Sequence, residues 1–228
     1  MMEASKSMAL RAASNKPAVN SPALYLSPEN WRRLEAVNAC WNDDIVQNRA
    51  VVLDIYSPLA QRADKSAITL SRDVGYGADP RQCLDVFTPN GAKGRPVLVF
   101  VHGGAFTRGS KSVDGEIYDN VLYWFARQGF IGVNIEYRLA PAAQYPAGAQ
   151  DVALAIEWVA KNIGQYGGDP GNIVLMGHSA GGCHVASYLL DPQNRVHNLD
   201  ALTLDKFNKV KIQIEELIGK GKNQITML

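Results

Sequence analysis

Two short apolar runs, each followed at once by glycines, constrain the fold of this chain more than any other feature. The runs are VLVFV at 97–101 and NIVLM at 172–176, and both are typical of strands buried on two faces. The hydrophobic periodicity also predicts helices over 118–127, 150–163 and 180–190 and a strand over 130–135. This alternation of strands and helices indicates an α/β fold, a mostly parallel central sheet with helices on both faces.

The residues before this alternation predict two helices and one pair of strands. Ser27 followed by Pro28 is typical of a helix start, because serine caps the free N–H groups and proline fits the first turn. A second helix is predicted over 44–56. The turn sequence YGADP then separates predicted strands at 68–74 and 83–87, which makes the sheet mixed.

Composition divides the chain into three segments. Residues 1–26 form a polar leader that we expect to be disordered, and residues 27–195 form one α/β domain. Residues 196–228 contain five lysines and no arginine, whereas residues 1–195 contain six lysines and twelve arginines. We therefore interpret 196–228 as a divergent lysine-rich tail, with a helix predicted after Thr203.

Charge and cysteine content exclude several classes of function. The formal net charge is +1, which gives no electrostatic reason to expect nucleic acid or an anionic membrane surface as a partner. No apolar run approaches the ~18 residues of a membrane span. Cys40, Cys83 and Cys183 form no CxxC pair, so we expect no metal site, no cofactor and reduced thiols in a cytoplasmic protein.

The strongest chemical signal is the sequence Gly177-His178-Ser179-Ala180-Gly181, a GxSxG motif. It follows a predicted buried strand and opens a predicted helix, which is the context that a nucleophilic serine of this kind requires. A sharp strand-to-helix turn exposes the serine side chain, and small neighbours keep the crowded backbone possible. The motif therefore predicts Ser179 as a catalytic nucleophile.

A second glycine motif, His102-Gly103-Gly104, comes directly after the strand VLVFV. Backbone N–H groups of such a turn can form an oxyanion hole together with the N–H of the residue after the nucleophile, here Ala180. Taken alone, HGG would be an ordinary turn. Its combination with GxSxG predicts Gly103, Gly104 and Ala180 as oxyanion-hole donors.

With these motifs the sequence resembles the serine esterases and lipases of the α/β-hydrolase fold that carry an HGG oxyanion motif, including the hormone-sensitive-lipase-like group. Further matching segments are YRLAP at 137–141, YPA at 145–147, Asp151 with Trp158, and GGDP at 167–170. The resemblance implies structural roles for Arg138, Asp151 and Asp169; because Asp151 lies near a predicted helix start, we interpret it as a cap. Segments upstream, among them LDVF at 84–87, also resemble the arylformamidase-like branch.

The remainder of a catalytic triad is not found. In α/β-hydrolases the acid and the histidine follow the serine on loops after later strands. Residues 180–228 are too few for three further strand–helix units of roughly 30 residues each. We therefore expect a C-terminally incomplete hydrolase fold that lacks its last strands. His197 in the tail is the remaining candidate base, although it precedes Asp200, the reverse of the family order.

Two hypotheses follow. In the first, the chain is a carboxylic ester hydrolase that acts through a serine acyl-enzyme on a small-molecule ester, or on an aryl formamide. In the second, it is a truncated and inactive hydrolase that acts at most as a binding protein. An incomplete sheet would also expose a strand edge, which favours self-association through that edge.

Overall fold

A five-stranded mixed sheet forms the frame on which the candidate site is built. The computed structural model describes residues 26–190. The predicted leader up to residue 25, the lysine-rich tail and His197 lie outside these residues. The chain divides at Ala63 into two compact units, and the sheet belongs to the second of them.

Between residues 26 and 63, the first unit contains two helices, α1 (Pro28–Ala39) and α2 (Ile45–Gln61). Ser27 caps α1, as predicted, since its hydroxyl accepts a hydrogen bond from the N–H of Asn30 at 3.2 Å. Asp44 caps α2 in the same manner through the N–H of Gln47. The second helix extends five residues beyond the predicted end at residue 56 and contains Pro58.

The sheet of the second unit has the strand order β1-β2-β4-β3-β5. Its strands are β1 (Ile68–Gly75), β2 (Cys83–Pro89), β3 (Arg95–Val101), β4 (Ile131–Ile135) and β5 (Gly168–Gly177). Strands β1, β2 and β4 pair antiparallel, whereas β3 pairs parallel with both β4 and β5. The mixed sheet with a parallel half confirms the predicted α/β fold class.

Up to residue 190, three α-helices flank this sheet: α3 (Asp119–Arg127), α4 (Ala147–Asn162) and α5 (Ala180–Leu190), with a 3-10 turn at Ile163–Tyr166 after α4. Alternate residues of β3 enter two different cores. Val97, Val99 and Val101 belong to the larger core with residues of α4 and α5, whereas Leu98 and Phe100 pack in a second core with residues of α3. Strand β3 is therefore buried on both faces, as its continuous apolar run predicts.

Strand β5 is less buried than its apolar run predicts. It is the outermost strand of the sheet as far as residue 190, and Val174 is 46% exposed. A continuous apolar strand is expected to have neighbours on both sides, and β5 is paired on one side only, with β3, among the described residues. Self-association through this edge stays a prediction. No helix between residues 26 and 190 is long and apolar enough to cross a membrane.

The interpretation of Asp151 as a helix cap is wrong. Helix α4 begins at Ala147, three residues before the predicted start, so Asp151 lies inside the helix and is fully buried. Its carboxylate accepts hydrogen bonds from the guanidinium and the backbone N–H of Arg138 and from the side-chain amide of Gln82. The role is structural, as the resemblance implies, but its cause is a buried ion pair.

Candidate active site

Ser179 occupies a sharp turn between β5 and α5. Its φ angle is +52°, a conformation that residues other than glycine rarely adopt. The turn is tight because a Cβ on Gly177 would lie 2.6 Å from the backbone of Gly181. The serine is exposed, while Ala180 and Gly181 beside it are buried. Such a strained turn, which holds an exposed hydroxyl, is typical of an activated nucleophile.

The two glycine motifs meet in space. A Cβ built on Gly103 would lie 3.2 Å from Cβ of Ser179 and 3.0 Å from the carbonyl oxygen of His178. The N–H of His178 also donates to the carbonyl oxygen of Val101 at 3.0 Å, which ties the end of β5 to the end of β3. A Cβ on Gly103 would therefore crowd the serine turn, and its nearest contact, at 2.6 Å, would be Nδ1 of the His178 side chain.

Gly104 turns the loop away from the strand. Its φ angle is +149°, and a Cβ there would lie 1.8 Å from the carbonyl oxygen of Arg108. The backbone N–H groups of Gly104 and Ala180 have no hydrogen-bond acceptor among residues 26–190, and the same is true of Gly103. Gly103 lies against Ser179, Gly104 follows Gly103 in the chain and Ala180 follows Ser179, so residues that the sequence predicts separately are close together. Free N–H groups suit a developing negative charge.

A buried polar network lies beneath this loop. Glu136, directly after β4, accepts hydrogen bonds from the hydroxyl of Ser110 at 2.8 Å, from the N–H of Lys111 at 3.1 Å and from the guanidinium of Arg81. The same carboxylate lies 2.8 Å from Nε2 of His102. Glu136 is not among the residues that the motifs predict, although its place at the end of a buried strand was the available signal.

The pKa of Glu136 lies below its usual value. Burial acts to raise this pKa, but the contacts with His102, Lys111 and Ser110 lower it by more. A carboxyl group whose pKa is depressed by folding stabilises the folded state above its unfolded pKa, here about 4.5, and loses that contribution as the pH falls through the folded value.

We therefore expect Glu136→Gln to flatten the acid side of the stability profile. The difference in unfolding free energy between wild type and variant should be largest above pH 4.5 and should shrink below it. Urea unfolding over a series of pH values measures this difference. The control is Glu157→Gln, because Glu157 forms an exposed i,i+4 pair with Lys161 and should change stability by about 0.5 kcal/mol or less. A constant difference for Glu136→Gln across the acid range would contradict the assignment.

No described histidine is placed as the base for Ser179. Both ring nitrogens of His102 are engaged elsewhere, and His178 contacts the hydroxyl of Tyr118 through Nδ1 at 3.2 Å. His184 is buried on α5, with its ring 4.7 Å from that of Tyr137. Burial is the main cause that lowers the pKa of His184, so its ring stays neutral at pH 7. Within the described residues, the serine and its oxyanion donors are present without a base.

A cavity of about 280 Å³ lies between the loop after Gly104, the loop after β4 and helix α5. Its wall includes Phe106, two residues beyond Gly104, and Cys183 and His184 from the first turns of α5. The loop after β4 supplies Arg138, Ala140 and Tyr145, and most of the lining is apolar. The cavity volume is large enough for a small organic group. Residues 26–190 contain no cluster of three or more His, Cys, Asp or Glu side chains that could hold a metal ion.

The family model named BD-FAE matches residues 84–220, which is more than half of the chain. The chain belongs to the BD-FAE family. That match begins in β2, covers both glycine motifs and continues past the last described residue. The candidate site therefore lies within the part of the chain that the BD-FAE model matches.

Named relatives and solved structures are similar to the same region. Esterase LipC of Mycobacterium tuberculosis is 42% identical over 113 residues, which is 49% of this chain and 27% of LipC. Human bile salt-activated lipase is 35% identical over 144 residues, 56% of this chain and 19% of the lipase. A bacterial heroin esterase superposes with a TM-score of 0.55 at 27% identity, over 74% of this chain and 53% of that one.

These matches show an α/β-hydrolase fold of the carboxylesterase group, as the resemblance implies. The BD-FAE chain spans less than two thirds of the length of each of these three proteins.

Proposed function

We propose that this BD-FAE chain carries the nucleophile half of a carboxylic ester hydrolase. The observation that supports this most strongly is the strained turn at Ser179, which lies against Gly103. The N–H groups of Gly104 and Ala180, the next residues along the chain from Gly103 and Ser179, have no acceptor among the described residues. In this proposal the Ser179 hydroxyl attacks the ester carbonyl, and the three N–H groups of Gly103, Gly104 and Ala180 stabilise the resulting oxyanion.

The cavity bordered by Phe106 and Cys183 takes the organic part of the substrate. Its apolar lining and its volume of about 280 Å³ suit a short acyl or alkyl group better than a charged one. Arg138 lines it, but its guanidinium is occupied by Asp151 and contributes structure more than ligand charge. The names of the relatives, an esterase and a lipase, agree with an ester as the substrate class.

The proton of Ser179 requires a base, and the described residues supply none. His197, outside these residues, stays the candidate within this chain. Geometry rather than chain order defines a triad, so its position before Asp200 does not disqualify it. Loss of the triad histidine lowers kcat by roughly 10⁶ in the serine protease subtilisin, so the activation of Ser179 is the property to measure.

The test is covalent labelling of Ser179. The full chain is incubated with a fluorophosphonate probe, and the modified peptide is identified by mass spectrometry, alongside hydrolysis of p-nitrophenyl acetate. We expect labelling at Ser179 in the wild type and none in Ser179→Ala. Ser71→Ala is the control, since Ser71 lies on β1 at the opposite edge of the sheet and should label as the wild type does.

A folded wild-type chain that neither reacts with the probe nor hydrolyses the ester would overturn the proposal. It would leave the alternative of an inactive hydrolase fragment. Labelling that is abolished by His197→Asn, with folding retained, would identify the base.

A further inference from the structure

The ring of His102 faces an oxygen acceptor at each of its two nitrogens. Nδ1 lies 2.8 Å from the carbonyl oxygen of Gly103, and Nε2 lies 2.8 Å from Oε1 of Glu136. The side chain is 0% exposed, so water cannot replace either partner. A carbonyl oxygen cannot donate, so the Nδ1 contact is a hydrogen bond only if Nδ1 carries a proton.

The second contact depends on the state of Glu136, and its other partners fix that state. Its two oxygens accept from the guanidinium of Arg81, the hydroxyl of Ser110 and the N–H of Lys111. These partners favour the ionised carboxylate, because each of them donates a hydrogen bond to it. An ionised carboxylate only accepts hydrogen bonds, so Nε2 carries a proton as well.

A neutral ring would leave one nitrogen lone pair pointing at an oxygen in a buried place. That arrangement replaces a hydrogen bond with a repulsion between two unsatisfied acceptors, which is unfavourable without water. The ring of Tyr137, in contrast, is stacked on His102 with centroids 4.3 Å apart and planes 18° apart, a position that suits a cation over an aromatic face. Hydrogen bonds and stacking thus favour the same charged form.

We propose that His102 is a buried imidazolium, held by Glu136, that polarises the Gly103–Gly104 peptide and so positions and strengthens the oxyanion hole. The carbonyl that Nδ1 contacts and the N–H of Gly104 belong to one peptide unit. A hydrogen bond to the carbonyl oxygen draws electron density from the nitrogen, which makes the Gly104 N–H a better donor. His102 is thus a positioning residue that acts through the backbone.

Among the groups around the ring, one carboxylate faces this imidazolium. The titratable or charged groups around the ring come from four segments of the second unit: Glu136 and Tyr137 after β4, Arg81 before β2, Tyr118 before α3 and His184 on α5. Glu136 is the one anion in this set, and it serves both His102 and Arg81. Removal of its charge should therefore release a proton from His102.

The role of Gly104 rests on the proposed function, whereas the charge of His102 does not. The test therefore uses nuclear magnetic resonance of the full ¹⁵N-labelled chain and needs no turnover. The chain has four histidines, so His178→Asn, His184→Asn and His197→Asn assign the His102 ring signals by elimination. Near neutral pH we expect both ring nitrogens of His102 in the wild type to carry a proton that exchanges slowly with solvent.

Glu136→Gln should convert one of these nitrogens to the unprotonated form. The Gly104 amide proton should shift upfield in the same variant. A wild-type spectrum with one unprotonated His102 nitrogen near neutral pH would overturn the proposal, even if Glu136→Gln does not fold. A charged ring in the wild type with a Gly104 amide that does not shift in Glu136→Gln would overturn the polarising role alone.

Discussion

Asp151→Ala is expected to lower the unfolding free energy of this BD-FAE chain by about 3 kcal/mol, near the lower end of values for a broken buried ion pair. Asp151 is fully buried, and the side chain of Arg138 is 28% exposed. The variant leaves the Arg138 guanidinium, its backbone N–H and the Gln82 amide without their acceptor. Partial hydration of Arg138 keeps the loss below that of a fully buried pair.

Urea unfolding followed by circular dichroism measures this loss, and helix α4 provides a matched control. Glu157 lies on the same helix and pairs with Lys161 at the surface, so Glu157→Ala should change the unfolding free energy by about 0.5 kcal/mol or less. A second variant, Asp151→Asn, retains the shape but not the charge and should fall between wild type and Asp151→Ala. Equal stability of Asp151→Ala and Glu157→Ala would contradict the structural role of the pair.

The pair also holds the loop that forms one wall of the cavity. Arg138 and Ala140 line the cavity, and Asp151 fixes the first of them from the neighbouring helix. Asp151→Ala should therefore slow probe labelling of Ser179 without abolishing it, because the serine turn itself is not touched.

The elements after residue 95 could be predicted because their signals are local. The run VLVFV has the length and the continuous apolar character of a strand buried on two faces, and GHSAG follows a strand and opens a helix. These two features predict the fold class, and the comparisons confirm the α/β-hydrolase assignment. Gly103 lies against Ser179, while the catalytic roles of Ser179, Gly103, Gly104 and Ala180 stay a proposal.

What could not be predicted depends on contacts between distant segments. Glu136 and His102 are 34 residues apart and meet because β3 and β4 are neighbours in the sheet. No periodicity of the sequence encodes that a glutamate after one strand faces a histidine after another. The interpretation of Asp151 fails for a related reason. An aspartate near a predicted helix start indicates a cap, but the helix begins three residues earlier, and this places Asp151 inside the helix, where it does not cap the end.

Gly181→Ala is expected to have a large effect on the same site. A Cβ on Gly181 would lie 2.2 Å from the carbonyl oxygen of Val101 and 2.5 Å from that of His102, both backbone atoms at the end of β3. Neither atom can turn aside as a side chain can, so helix α5 must move away from the strand. Overpacking of this kind costs about 1–3 kcal/mol, and contact with rigid backbone places the variant at the upper end.

Gly182→Ala is the matched control, one residue along the same helix. Its nearest neighbour would be the carbonyl oxygen of Gly177 at 3.4 Å, an ordinary contact, and alanine is favoured over glycine in a helix by roughly 0.5–1 kcal/mol. We expect Gly182→Ala to be neutral or stabilising in urea unfolding, and Gly181→Ala to be clearly destabilised. The same pair should separate in chemistry, because movement of α5 displaces the Ala180 N–H relative to Gly104 and should slow probe labelling of Ser179. If both variants unfold and label alike, α5 does not approach β3 as closely as this site requires.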